Sequence, residues 1–341
     1  TGDALARLDR LAGQPLDLES RRYLHLLRLE IENKAAGVEV EPAAVAATDE
    51  LRPWNAWITL GAEYDTNIPS HGELPRVRRG GLHELSGWRG YAVLHGDYRY
   101  RVTDRFSVTG DLDFYGNRND DLSEFDVHVI EGAITPEYRV TKHQIFLGMR
   151  NSFNKTWLNS ETFQHTIGIE PFIYVVYSPY AASKVSLTWD YENYFGEDDA
   201  NPAEDLDNRT LRLQLTQEVR VKDTTLAMRG GMYWEKVAAD GRDFDSDRRG
   251  IFFGFRIQLP YEVWLSGRMD YSTTDHEHIN SRSFPRDTRG DNDVSWGVSL
   301  SREIVEHVDF SVYYTGYDEE SNIGEFEYDR SIWGMAATYR F

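Results

Sequence analysis

The sequence contains no cysteine. That excludes disulfides, thiolate chemistry and cysteine-ligated zinc or iron–sulfur centres, and it suits a bacterial envelope protein. It also lacks any run of 18 apolar residues, so none of its helices can cross a bilayer. Positive charge is scarce, with 37 Lys and Arg against 57 Asp and Glu and a formal net charge of −20. Phosphate backbones repel such a chain, so no nucleic-acid partner is expected. Phosphate-cradling glycine loops, the helical H-E-x-x-H zinc pattern and EF-hand spacing are all missing, and no enzyme activity, cofactor or metal is expected. The lack of long apolar runs does not exclude a membrane barrel, which needs only alternation.

Aromatic residues, by contrast, are abundant: 9 Trp, 20 Tyr and 16 Phe. From Trp54 onward the apolar residues recur with period two. Phe106, Val108, Gly110, Leu112 and Phe114 face one way, and Ser107, Thr109, Asp111 and Asp113 the other. A strand separates odd from even positions and a helix does not. The same split recurs at 211–216, 226–233, 251–259 and 308–314.

Such segments lie near 54–65, 88–101, 105–117, 124–140, 143–155, 161–177, 183–195, 206–221, 224–237, 247–259, 262–275, 291–303, 307–318 and 326–341, which makes fourteen. Bulges are expected in the long fourth and sixth. Alternate connections are very short, such as Thr103-Asp104 and Lys222-Asp223, and the intervening ones are longer and polar, such as 67–87 and 276–290. The fold class expected is therefore all-β: a transmembrane antiparallel β-barrel of 14 strands over 54–341, in a bacterial outer membrane with both termini periplasmic. Tyr98, Tyr100, Tyr177, Trp189, Tyr191, Trp234, Tyr271, Tyr313 and Tyr339 stand towards strand ends and are expected in the interfacial aromatic belts. A soluble β-sandwich with aromatic core strands is the competing architecture.

Residues 1–50 read differently. Leu5, Leu8 and Leu11 precede a Gly13–Pro15 break, and Leu18, Leu24, Leu27 and Leu29 follow. A short helical segment is expected there, as a hairpin covering one barrel end, a plug, or the tail of a larger periplasmic module. No export signal precedes it, so an exported chain would have lost one.

If the apolar face meets lipid, the opposite face defines the lumen. The residues expected to line it are Glu63, Asp97, Arg99, Asp111, Asp113, Arg150, Asp190, Arg212, Arg229, Arg256, Arg268 and Asp270, with Glu218 and Arg220 beside them. Acids gather on the first three segments and arginines on the eighth to eleventh. Ion pairing within the interior and contact with a solute are both open readings for each. The 67–87 connection carries Arg76, Arg78, Arg79, His71 and His83; it is a candidate infolded constriction, or a solvated exterior loop. His95, His128, His143, His165 and His307 are scattered, and His276-Glu277-His278 reads as a flexible loop. Acidic clusters at 198–207 and 240–247 read as solubilising loops, with divalent bridges to anionic headgroups as one use.

The last strand, Ser331 to Phe341, resembles the terminal strand of bacterial outer-membrane proteins: Phe341, Tyr339, Ala337, Met335 and Trp333 share a face. The resemblance implies recognition by the barrel-assembly machinery through Trp333, Tyr339 and Phe341, and contact with outer-membrane lipid and lipopolysaccharide. Leu60-Gly61-Ala62-Glu63-Tyr64-Asp65-Thr66-Asn67-Ile68 resembles the first strand of barrels that follow tetratricopeptide-like helices in surface lipoprotein assembly modifiers and exopolysaccharide secretion proteins. That resemblance implies periplasmic or surface protein partners. Three functions are expected: a porin-like or gated conduit, a component of lipoprotein or polysaccharide translocation, or a non-conducting barrel that anchors an envelope complex.

Overall fold

The computed structural model describes residues 53–68, 86–140, 144–195, 203, 205–281 and 287–341. The helical segment expected at 1–50 and the basic residues Arg76, Arg78 and Arg79 lie outside them. Fourteen strands close on themselves: β1 (Trp54–Asp65), β2 (Gly87–Arg101), β3 (Phe106–Asn119), β4 (Val127–Arg139), β5 (Ile145–Leu158), β6 (Glu161–Ser178), β7 (Ala181–Tyr194), β8 (Asn208–Arg220), β9 (Ala227–Ala239), β10 (Ser246–Gln258), β11 (Trp264–Ile279), β12 (Thr288–Val305), β13 (Val308–Ser321) and β14 (Tyr328–Arg340). Each strand pairs antiparallel with its sequence neighbours, and β1 pairs with β14 from Trp57↔Arg340 to Asp65↔Ile332. Closure leaves no unpaired edge, as a strand structure in hydrocarbon requires.

Alternation runs inside-out relative to a soluble protein. Leu60, Ile134, Met232, Ile251 and Trp333 are each more than half exposed, whereas Glu63, Asp65, Arg89 and Arg330 are at most 2% exposed. A soluble sandwich would bury the first set and hydrate the second, so the exposed apolar surface is the lipid-facing one. Exposed rings mark two levels on it. Tyr98, Tyr100, Tyr138, Tyr177 and Tyr339 sit towards the short-turn end, and Trp88, Trp189, Tyr191, Trp234 and Trp333 towards the loop end. Tyr313 departs from the expected belt: it faces inward, where its hydroxyl donates to Glu63 and lies 3.0 Å from Tyr91 Oη.

Several local departures have clear causes. The fourth segment begins later than expected because Ser123–Phe125 forms one 3₁₀ turn before β4. Its register is continuous, but its pairing with β5 skips Thr135 and Pro136, where proline has no donor to offer. The sixth carries two register shifts, each placing one extra residue on β6. The first, at Phe163, turns both Phe163 and Gln164 into the interior. The loop end is not uniformly long: Asn159 and Ser160, both at positive φ, join β5 to β6 as a two-residue turn.

Candidate functional site in the barrel lumen

On the inner face of the seam between β1 and β14 lies a buried charge cluster. Arg89 of β2 donates to Glu63, and its Nη1 lies 3.6 Å from Asp65 Oδ2. Arg330 of β14 grips the Asp65 carboxylate with Nε at 3.0 Å and Nη2 at 2.5 Å. Two carboxylates and two guanidiniums thus neutralise one another, which such groups need in order to be buried at all. The Gly61–Ile68 segment acquires a physical meaning here. Gly61 gives the Tyr91 ring room that a Cβ would occupy, and Glu63 and Asp65 hold the arginines. Asn67 donates from Nδ2 to the Asp329 carbonyl at 3.0 Å, and Ile68 is completely buried. Ile68 packs in an apolar cluster with Tyr91, Tyr115, Phe125, Val127, Val129, Leu158 and Phe163, which fills the loop-end interior beside β2 to β6.

The other acids expected to line the lumen on β2 and β3 also have partners. Asp113 lies 2.7 Å from His95 Nδ1, and Asp97 lies 3.5 Å from His95 Nε2. Asp111 and Glu131 share Arg150 Nη2 at 2.7 and 2.8 Å, and Arg99 pairs with Glu137 at 3.0 Å. Glu218 accepts from Tyr174 Oη at 3.0 Å.

Across the barrel the inward side chains border space. A cavity of about 380 Å³ lies towards the turn end, lined by Trp57, Tyr91, Phe252 and Ile332 on apolar sides and by Arg212, Arg229, Arg256 and Arg268. A second, of about 560 Å³, lies towards the loop end, lined by Arg150, Asp190, Glu192, Glu235, Asp291 and Asp293 among others. The two share Arg212, Gln214, Arg229, Arg248, Asp270 and Ser295 as lining residues, so they meet at one waist. Glu63, Asp97, Arg99, Asp111 and Asp113 line neither cavity.

Three of the cavity-lining arginines lie against aromatic rings. Arg212 lies 3.9 Å above the Tyr233 ring, with Glu235 at 3.7 Å. Arg229 stands 5.8 Å from the centre of Phe252, and Arg256 lies 4.4 Å above Trp264. Such contacts fix a guanidinium without consuming its hydrogen-bond donors. The Nε donors of Arg212 and Arg229 are buried with no acceptor. Gly297 leaves space for Arg268, whose Nε would stand 3.0 Å from a Cβ at that position. Arg248, deeper than these, donates to Ser272 Oγ at 2.8 Å and reaches Asp293 at 3.3 Å.

Sequence reading did not single out Arg89, Arg330, Arg248 or Arg289. Inward parity on their strands is the signal that places them with the other lumen cations. It also corrects the loop assigned to 276–290: β11 continues through Ile279 and β12 starts at Thr288. His276-Glu277-His278 is therefore strand. His276 Nδ1 lies 3.0 Å from the Asp243 carbonyl, and His278 lies 3.3 Å from Asp245. Asp245, Glu277 and His278 bring ligand atoms within 4.8 Å of one another, but the cation already at Glu277 is Lys236, which also binds Asp247 at 3.2 Å. Several loop acids organise backbone instead: Asp207 accepts from Tyr194 N at 2.6 Å, and Asp245 from Ala239 N at 2.8 Å.

No protein-family model matches the chain, and no curated protein matches it. Among solved structures, the outer membrane channel DcaP of Acinetobacter baumannii is 9% identical, with 84% of this chain and 96% of that one covered, at a TM-score of 0.50. OccAB4 of the same organism is 9% identical over 86% of this chain and 100% of its own, at 0.46. A bacterial polysaccharide outer membrane secretin is 9% identical over 84% and 98%, at 0.40. The DcaP likeness is one of fold, and the fold of the chain is an outer-membrane-type β-barrel.

Proposed function

We propose that the chain is an outer-membrane conduit whose hydrated route passes from the turn-end chamber through the arginine-rich waist into the loop-end chamber. The observation that carries this reading is the set of residues common to both cavity linings, which makes the two spaces neighbours along the barrel axis. A fourteen-stranded shell is wider than those filled by side chains and leaves room for a wet path. In this reading both termini face the periplasm, Trp333, Tyr339 and Phe341 serve recognition by the barrel-assembly machinery, and the outer surface contacts lipid and lipopolysaccharide.

The test is ion conduction by the purified full chain in a planar bilayer. Replacing Arg212, Arg229, Arg256 and Arg268 together by glutamine removes positive fixed charge, so the ratio of cation to anion permeability should rise. Unchanged selectivity in a folded quadruple variant rejects the assignment of these residues to the route. A barrel that carries no current is an anchor and not a conduit.

The translocation reading rests on the Gly61–Ile68 segment. Its alternate residues are engaged in closing the seam, a service any function of the barrel would need. Loss of a surface lipoprotein or polysaccharide on deletion, with small-solute uptake unaltered, would favour translocation over free conduction.

A further inference from the structure

The turn-end cavity has two unlike sides. On the seam side it is lined by Trp57 of β1, Tyr91 and Val93 of β2, and Ile332 and Ala336 of β14. All of these but Val93 are buried, and the Trp57 ring is stacked on His95 at 5.3 Å between centroids. A hydrated ion gains nothing from such a surface, whereas an apolar solute does. Arg212 and Arg229 line the same cavity from across the lumen: β8 and β9 lie seven places from β1 and β2 in the closed ring of fourteen. Arg229 forms neither a hydrogen bond nor an ion pair with any described residue, and its guanidinium stands 5.8 Å from the centre of the Phe252 ring. That ring is laid over Gly231, where a Cβ would stand 2.5 Å from its Cζ, so its position is preset. Arg212 has only a loose contact with Glu235, at 3.7 Å.

Shortage of acids does not explain the state of Arg229, since the chain has 57 Asp and Glu. The carboxylates that line this cavity are engaged elsewhere: Asp309 with Arg340 at 2.9 Å, and Asp270 with Tyr233 Oη at 3.2 Å. A part-buried guanidinium without a counter-charge keeps its attraction for anions unmet. We infer that the turn-end cavity is a binding site for a monoanion with a compact apolar body. The anionic group lies at Arg229, with Arg212 as the second cation of that wall, and the body lies against the seam-side surface. The inference names a solute class for the conduit and rests on that reading for the solute's way in.

The volume of about 380 Å³ suits a small molecule, since such sites run from about 300 to 1,000 Å³. Trp57, Tyr91 and Phe252 supply rings to the lining, so a flat body fits best. An inorganic anion meets only the cationic side, and a neutral ring only the apolar one. A solute that has both parts gains from the two sides together.

The experiment is a titration of the full chain in lipid nanodiscs, followed by fluorine NMR, with empty discs as the baseline. Three probes separate the contributions: para-(trifluoromethyl)benzoate, the neutral para-(trifluoromethyl)benzyl alcohol, and trifluoroacetate, an anion without the ring.

The expected result is that the benzoate binds about tenfold or more tighter than either of the others, as a charge-assisted contact added to apolar burial requires. Arg229→Gln should weaken the benzoate by about tenfold and leave the alcohol unchanged, which also shows that the variant keeps its cavity. Val93→Asn should weaken the benzoate by about threefold and leave trifluoroacetate unchanged. Equal affinity for benzoate and alcohol in the unaltered chain overturns the inference without recourse to any variant. Benzoate affinity that is the same in Arg229→Gln overturns it as well, because the anion would then sit elsewhere. The conduit reading is judged separately by bilayer current. Current without selective binding removes this inference alone, and selective binding without current removes the conduit alone.

Discussion

Two walls of the barrel use arginine in opposite ways. On the seam wall, Arg89 and Arg330 are almost completely buried, and each is met by carboxylates from a neighbouring strand. On the facing wall, Arg212, Arg229 and Arg256 remain partly accessible and lie against aromatic rings, with cavity on their other side. The first arrangement pairs each guanidinium with a carboxylate inside the wall, so it rigidifies. The second leaves fixed charge beside a cavity. The difference is one of packing depth, since inward parity is the same on both walls.

The largest expected effect that separates the walls is on stability. Arg330→Met leaves the Asp65 carboxylate buried beside one distant guanidinium group and should cost about 3–5 kcal/mol, read by urea unfolding in lipid vesicles. Arg229→Met on the facing wall should cost no more than about 1 kcal/mol in the same assay, as for a solvent-screened charge. Equal losses would break the comparison. Next in size, Leu213→Arg introduces a cation on the lipid side, one position from Arg212, and should cost about 2–4 kcal/mol. A loss below that of Arg229→Met would place Leu213 away from lipid. Ile68→Ala opens a void in the apolar cluster beside the seam and should cost about 2–3 kcal/mol. Its conductance should remain unaltered, because Ile68 lines neither cavity.

The architecture was largely legible because alternation is local. Ser107 to Phe114 reveals its two faces within eight residues, and the short connections reveal which ends are turns. The lumen was legible only as a parity. That Arg212, Arg229, Arg256 and Arg268 point inward follows from their neighbours in sequence, whereas the pairing of Asp111 with Arg150, or of Asp65 with Arg330, joins strands whose register no local pattern encodes. Tyr313 shows the limit within one residue: a ring near other aromatics suggests a belt, but odd numbering on β13 puts it inside with Glu63. His276-Glu277-His278 was misread as loop because its polarity resembles a turn, although polar strands are ordinary where a barrel rises above the bilayer.

The clasp between Asp65 and Arg330 joins positions 265 residues apart, and this sets the order of assembly. The first strand pairs with β2 but must wait for nearly the entire chain before its second partner exists. Until then Asp65 has Arg89 of β2 alone beside it, and the guanidinium of Arg330 keeps its hydration on the opposite rim of an incomplete sheet. Contacts of such long sequence separation form late and slowly, so dehydration of these ions falls on the final zipping step. Closing the cylinder is thereby made conditional on the last segment arriving in register, and a slipped or truncated terminus would leave ions stranded at the gap.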